Sequence, residues 1–209
     1  MIKQKKVVVV DYGVGNLWSV VSALDFLGAK PVISSNPAEI INADSVLLPG
    51  VGSFRLAMQS LIEKNLDEAL KEAVQIRQRK ILGICLGFQL MAVSSSEDGM
   101  TAGLGFIPAP VESFSALELE GRKLPHIGFN ETRLPESSFL FDGFEDSDDF
   151  YFVHSYRLLA QALPGKKAIC NYGIDFLAAY EYENVFGAQF HPEKSQTNGL
   201  RLLANFLRA

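Results

Sequence analysis

The chain has 209 residues, 48% of them apolar and 21% charged, enough for a single domain with a sizeable core. Its net charge of −5, with no long basic run, argues against nucleic acid as the main partner. No apolar stretch is long enough to span a bilayer and no signal peptide is recognisable, so no membrane association is expected and a cytoplasmic setting is. The two cysteines fit reduced cytosolic thiols, and no C-x-x-C, H-E-x-x-H or paired-histidine spacing points to zinc.

In chain order, Val7 to Val10 follows Lys3, Lys5 and Lys6 as an unbroken β-branched run, predicting a strand buried on both faces. The loop D-Y-G-V-G-N comes next. Its Gly13-x-Gly15 is not a dinucleotide fingerprint, because the third glycine would fall at Trp18. Leu17, Val20, Val21, Leu24 and Leu27 then recur at helical spacing, with Asn16 as cap and Gly28 as stop. Pro31 to Ser34 reads as a second strand, N-P-A-E-I as a helix start, and Ser45 to Leu48 as a third strand. Leu70, Ala73, Val74 and Arg77 give Asp67 to Arg79 a helical periodicity, and Ile81 to Ile84 is a further strand. This alternation predicts an α/β fold: a flavodoxin-like, doubly wound, mostly parallel sheet with helices on both faces and the chemistry at the carboxyl ends of its strands.

The second half carries shorter strand candidates at Val111 to Phe114, Phe150 to Tyr156, Ala168 to Tyr172, Leu177 to Tyr182 and Val185 to Phe190, which predict additional antiparallel strands. Glu183-Asn184 reads as a hairpin turn, and Asn198 to Leu207 as a helix. The acidic run E-D-S-D-D at 145–149 reads as a solvated loop. With no linker or repeat, residues 1–209 are expected to form one domain.

Cys85 stands out chemically. In K-I-L-G-I-C-L-G-F-Q-L an apolar strand stops at the cysteine and a helix opens directly behind it. A strand turning sharply into a helix pushes one side chain out at the sheet edge, where the helix's first N–H groups favour a thiolate and can hold an oxyanion. Gly83 and Gly87 suit so tight a turn, and count against the ordinary alternative of a buried structural cysteine. Of three histidines, only His191, in F-H-P-E-K, has an acid two positions on. In an extended segment Glu193 would share its face and could orient the ring as the third member of a triad. His126 and His154 lack such a neighbour and read as rings satisfied by local backbone or lining a pocket. Gly50 and Gly52, in L-L-P-G-V-G-S-F, leave the peptide between them free to rotate, so that Gly52 and the N–H of Leu86 are the expected oxyanion hole.

These blocks carry a family resemblance. G-I-C-L-G-F-Q, P-G-V-G-S-F and F-H-P-E-K-S together resemble the class I, or triad, glutamine amidotransferases, and the match runs from about Val8 to Phe206. D-Y-G-V-G-N-L-W-S-V, P-H-I-G-F-N, Y-F-V-H-S-Y and H-P-E-K-S-Q resemble the subgroup that feeds ammonia to a (β/α)₈-barrel cyclase in a heterodimer, for imidazole glycerol phosphate and aminoimidazole carboxamide ribotide formation in histidine biosynthesis. The resemblance implies that Cys85 attacks the side-chain amide of L-glutamine, His191 protonates the departing ammonia and then activates water on the thioester, and Glu193 holds His191. It places Gln89, Glu97, Ser155 and Tyr156 against glutamine, and Asn16, Phe129, Asn130 and Lys194 towards the partner. It implies no metal or organic cofactor. Phe129 and Phe88 stand where the family pattern has tryptophan and methionine, which keeps in view a paralogous subunit supplying ammonia for amidino-sugar synthesis. A free-standing γ-glutamyl cysteine hydrolase would use the same three residues but need no partner-facing motif.

Overall fold

The structure, a computed structural model, describes residues 6–160 and 163–209; Lys3 and Lys5 lie outside the described residues. Strand β1 (Val7–Val10) is buried from end to end. Its alternation sends Val7 and Val9 into one apolar layer and Val8 and Val10 into the other. Full burial of each such side chain is worth about 1.5–3 kcal/mol, which is why the run reads as apolar on both faces.

Around β1 lie β2 (Val32–Ser34), β3 (Ser45–Gly50) and β4 (Lys80–Cys85), all paired in parallel. On one face pack α2 (Pro37–Ile41), α3 (Phe54–Glu63), α4 (Leu66–Lys71) and α5 (Leu86–Leu90), through residues such as Ile40, Phe54, Leu61, Leu70 and Phe88. On the other pack α1 (Leu17–Phe26) and a C-terminal helix, Gln196–Arg208, through Val20, Leu24, Leu202 and Phe206. Asn16 caps α1 by accepting the Ser19 N–H, and Gly28 follows the helix with φ at +80°. Two features escape the periodicity: α3 begins within the loop that carries Gly52, and α4 continues into a π-helical stretch, Glu72–Ile76, rather than running as one α-helix to Arg79.

The second half extends the same sheet. Besides the short strands β5 (Ala92–Ser95) and β6 (Thr101–Ala102), it contributes β7 (Ile107–Ser113), β8 (His126–Arg133), β9 (Ser147–His154), β10 (Tyr156–Leu158), β11 (Lys166–Tyr172), β12 (Ile174–Tyr182) and β13 (Val185–Ala188). The nine-stranded sheet runs β2-β1-β3-β4-β13-β12-β11-β8-β9, parallel as far as β13 and antiparallel beyond it. A second sheet, β10-β7-β5-β6, lies apart from it.

Five strands thus form the parallel part, and four continue it antiparallel. The single strand expected over Phe150 to Tyr156 is two strands in different sheets, because the chain turns at Ser155. The hairpin at Glu183-Asn184 forms as expected, with Tyr182 paired to Val185 and Glu183 at a φ of 54°. Residues 147–149 of the acidic run open β9 instead of lying in a loop. A short helix, α6 (Ala116–Leu119), carries a Ser115/Glu118 capping box, which makes the C-terminal helix α7.

Candidate active site

Strand β4 ends on Cys85, and α5 begins at the next residue. The turn forces Cys85 to φ 52° and ψ −110°, a backbone state whose strain is of order 1–3 kcal/mol. Nothing larger than hydrogen fits behind it. A Cβ on Gly87 would lie 1.6 Å from the Leu48 carbonyl oxygen, and one on Gly83 would lie 2.7 Å from Phe88 Cα. Phe88 is fully buried, with its ring edge against Gly187, where a Cβ would come within 2.0 Å of it.

Because β13 pairs with β4 in parallel, with Ala188 opposite Ile84, the segment leaving β13 passes Cys85. That segment carries His191, which is buried, and whose Nδ1 lies 2.7 Å from Glu193 Oε1. The contact expected from i, i+2 spacing is present, but its geometry differs from the strand alternation supposed. The strand stops at Ala188, His191 is extended, and Pro192 opens a 3₁₀ turn (Pro192–Lys194) that folds Glu193 back onto the ring. With Nδ1 engaged, His191 Nε2 is buried without a hydrogen-bond partner among the described residues. Cys85 is its electrostatic neighbour. Burial alone would depress the imidazole pKa, but interaction with Cys85 and Glu193 outweighs it and raises the value to about 9. The ring is thereby suited to carry a proton beside the sulfur and deliver it to a leaving group.

Cys85 opens into a cavity of about 270 Å³ lined by Val51, Gly52, Leu86, Gln89, Glu97 and the 153–156 segment. That falls just below the ~300–1,000 Å³ typical of drug-sized ligands and suits a molecule of amino-acid size. Gly52 has a φ of +101° and borders the cavity with Leu86, the first residue of α5. Gln89 is held rigidly, its Nε2 donating to the Tyr156 carbonyl at 2.9 Å and to Gln189 Oε1 at 3.0 Å. Glu97 accepts the Phe54 N–H at 2.9 Å, which ties the cavity wall to the first turn of α3 behind the glycine loop. Its pKa is raised, by burial first, an effect opposed by that backbone bond.

The family model for class-I glutamine amidotransferases matches residues 8–209. The chain belongs to this family. The amidotransferase is 42% identical over 205 residues to the imidazole glycerol phosphate synthase subunit HisH 1 of Parasynechococcus marenigrum, covering 97% of each chain. It is 45% identical over 205 residues to the HisH subunit of Methanosarcina acetivorans, covering 97% of this chain and 98% of that one. Among solved structures, a GMP synthase-type protein of Thermoplasma acidophilum superimposes with a TM-score of 0.73 at 20% identity, over 100% of this chain and 94% of that one. The glutaminase domain of Trypanosoma brucei CTPS, solved with acivicin bound, gives 0.67 at 15% identity, over 98% and 94%. At such identities the structural likeness bears on the fold.

The residues expected to face a partner are divided by the structure of the amidotransferase. Asn16 and Lys194 border a small cleft behind His191 and Glu193. Phe129 is 46% exposed, on the outer side of β8 with Ile127, and meets the Tyr151 ring edge-on at 5.4 Å. Lys194 Nζ lies 5.8 Å over the same Tyr151 ring. Asn130, one residue on, belongs to the opposite face of the strand, and its amide is turned inward to His126.

Four further residues of the amidotransferase's candidate site lie outside the set expected from the sequence. Gln189 bridges Gln89 and the Cys85 sulfur, its Nε2 3.8 Å from Sγ. Ser195 donates to the His191 carbonyl at 2.7 Å and accepts the Tyr151 N–H at 2.9 Å. The Tyr151 carbonyl in turn accepts the His191 N–H at 2.9 Å, so β9 carries the backbone of His191. Tyr12 anchors the glycine loop by donating to the Pro49 carbonyl at 2.9 Å. The position of Ser195 in H-P-E-K-S was the available signal; the others depend on strand neighbours far away in sequence.

Proposed function

We propose that this chain is the glutaminase subunit of an imidazole glycerol phosphate synthase, acting in the cytoplasm. Cys85 attacks the side-chain amide of L-glutamine, and the departing ammonia takes its proton from His191. His191 then activates water to hydrolyse the thioester, with Glu193 keeping the ring's Nδ1 engaged so that Nε2 faces the reaction. Gly52 and Leu86 supply the N–H groups for the tetrahedral oxyanion, single donors of this kind being worth about 10²–10³ in rate. Gln89, Glu97, Ser155 and Tyr156 hold the amino acid. The ammonia passes to a (β/α)₈-barrel, HisF-type cyclase in a heterodimer, for histidine biosynthesis. Asn16, Phe129 and Lys194 meet that partner, with Asn130 beneath them.

The observation that carries this reading is Cys85 opening into an amino-acid-sized cavity, with His191 and its Glu193 contact coupled to the sulfur from behind. The client is supported by the names of relatives above 40% identity across nearly the whole chain. The test is a separation of two activities in the reconstituted complex. Cys85→Ala should abolish glutamine-dependent product formation while leaving synthesis from ammonium salts at raised pH intact, because the barrel's chemistry needs only NH₃. Loss of both activities would reassign Cys85 to a structural role.

A further inference from the structure

Two histidines take no part in the chemistry above, yet both are buried and linked to the cavity wall. His126, on β8, lies between the rings of Phe152 at 4.8 Å and Tyr172 at 4.0 Å, nearly parallel to both. Its Nδ1 is 2.9 Å from His154 Nε2, and its Nε2 meets the side-chain amide nitrogen of Asn130. His154 Nδ1 is 2.8 Å from the Tyr156 carbonyl oxygen. That oxygen also receives Gln89 Nε2. Every ring nitrogen of the pair is engaged, so neither histidine has one to offer a ligand.

The direction of this chain follows from its end. A carbonyl only accepts, so His154 carries its proton on Nδ1, and a neutral ring then has a bare Nε2. That bare nitrogen needs a donor, which makes His126 an Nδ1–H tautomer as well. His126 Nε2 is bare in turn and takes an N–H from Asn130. Burial supports neutral rings, lowering His126 to about 4 and His154 to about 3, the latter helped by the neighbouring histidine.

We propose that His126 and His154 are positioning residues, forming a one-way hydrogen-bond chain from Asn130 to the Tyr156 carbonyl that fixes the Ser155–Tyr156 wall and Gln89 for glutamine. The proposal rests on the glutaminase reading. It gives that site a support running beneath β8, whose outer face carries Phe129. Without the chain, the wall is free to shift and glutamine binds less tightly. The sulfur stays poised, because His191 beside it is held by Glu193 and Ser195 rather than by the two histidines.

Two measurements on the full chain test this. Nitrogen-15 NMR at neutral pH should show both rings as neutral Nδ1–H tautomers; an Nε2–H tautomer or an imidazolium at either ring would overturn the chain. Saturation kinetics of Cys85 alkylation by 6-diazo-5-oxo-L-norleucine, a glutamine-shaped reagent, should show a half-saturating concentration raised about threefold to tenfold in Asn130→Ala, the loss of about one hydrogen bond. The maximal inactivation rate and the rate with iodoacetamide, which lacks glutamine's polar ends, should be unchanged. His126→Phe, which keeps the stacking, should behave likewise. Asn130 is only half-buried, so its variant informs even where His126→Phe does not fold. An unchanged half-saturation, or an equal fall in the iodoacetamide rate, would overturn the proposal. Failure of the diazo reagent to label the unaltered chain would instead overturn the glutaminase reading.

Discussion

At the scale of single residues, the two cysteines form an internal control. Cys85 lines the cavity beside His191, whereas Cys170 is enclosed on β11, where burial pushes its thiol up to about 12. A glutamine-like alkylating agent is therefore expected to modify Cys85 alone. Mass spectrometry locating the label on Cys170 would overturn the assignment. His191 permits a second prediction. A ring raised to about 9 remains protonated at neutral pH and loses its proton as pH climbs through that value. Deprotonated, it has nothing to give the leaving ammonia, so glutamine turnover should fall on the alkaline side near pH 9. Because Cys85 contributes to the raised value, Cys85→Ala should bring the NMR titration of His191 to lower pH. No movement would mean that the two side chains are not coupled. Cys85, His191 and Glu193 were legible because their types and spacing are chemical signals. Gln189 was not, because its role exists only once β13 lies beside β4.

At the scale of elements, the elbow between β4 and α5 is the least forgiving segment. The Cβ of Gly87→Ala would fall inside bonding distance of the Leu48 carbonyl, so β3 and α5 would have to separate. Overpacking of this kind costs about 1–3 kcal/mol, and chemical denaturation should show at least that loss together with loss of Cys85 labelling. Normal stability and normal labelling would show that the turn is looser than described. The parallel half was readable because strands buried on both faces are continuous apolar runs and their helices are amphipathic. Strand β8 is not legible in the sequence. Its H-I-G-F-N-E-T-R inverts the usual alternation, since the inner face buries His126 and Thr132 while the outer face leaves Ile127 and Phe129 exposed. Strands β9 and β10 read as one in the sequence because Ser155 marks a turn without glycine or proline.

At the scale of the whole molecule, the proposed contact of Phe129 with a partner makes the choice of client testable. Its ring is half-exposed and rests against Tyr151, so it can fill an apolar pocket but has no indole N–H to donate. With a histidine-pathway cyclase the lack should cost about 0.5–1.5 kcal/mol, the worth of an ordinary hydrogen bond, and Phe129→Trp should be tolerated. A histidine auxotroph lacking its own glutaminase subunit, supplied with this chain and its cognate barrel at low ammonium, is expected to grow. Absence of growth from well-expressed protein would favour the amidino-sugar client instead.

The adjacency of β4 and β13 has a consequence during synthesis of the protein. Gln189, the last side chain before the base to touch the sulfur, is 104 positions beyond Cys85. A ribosome delivers the chain from its amino end, so the thiol emerges long before the imidazole that must work with it. A half-made polypeptide therefore holds an idle sulfur, and the cell's glutamine is safe from it until the last strand of the sheet is threaded into place.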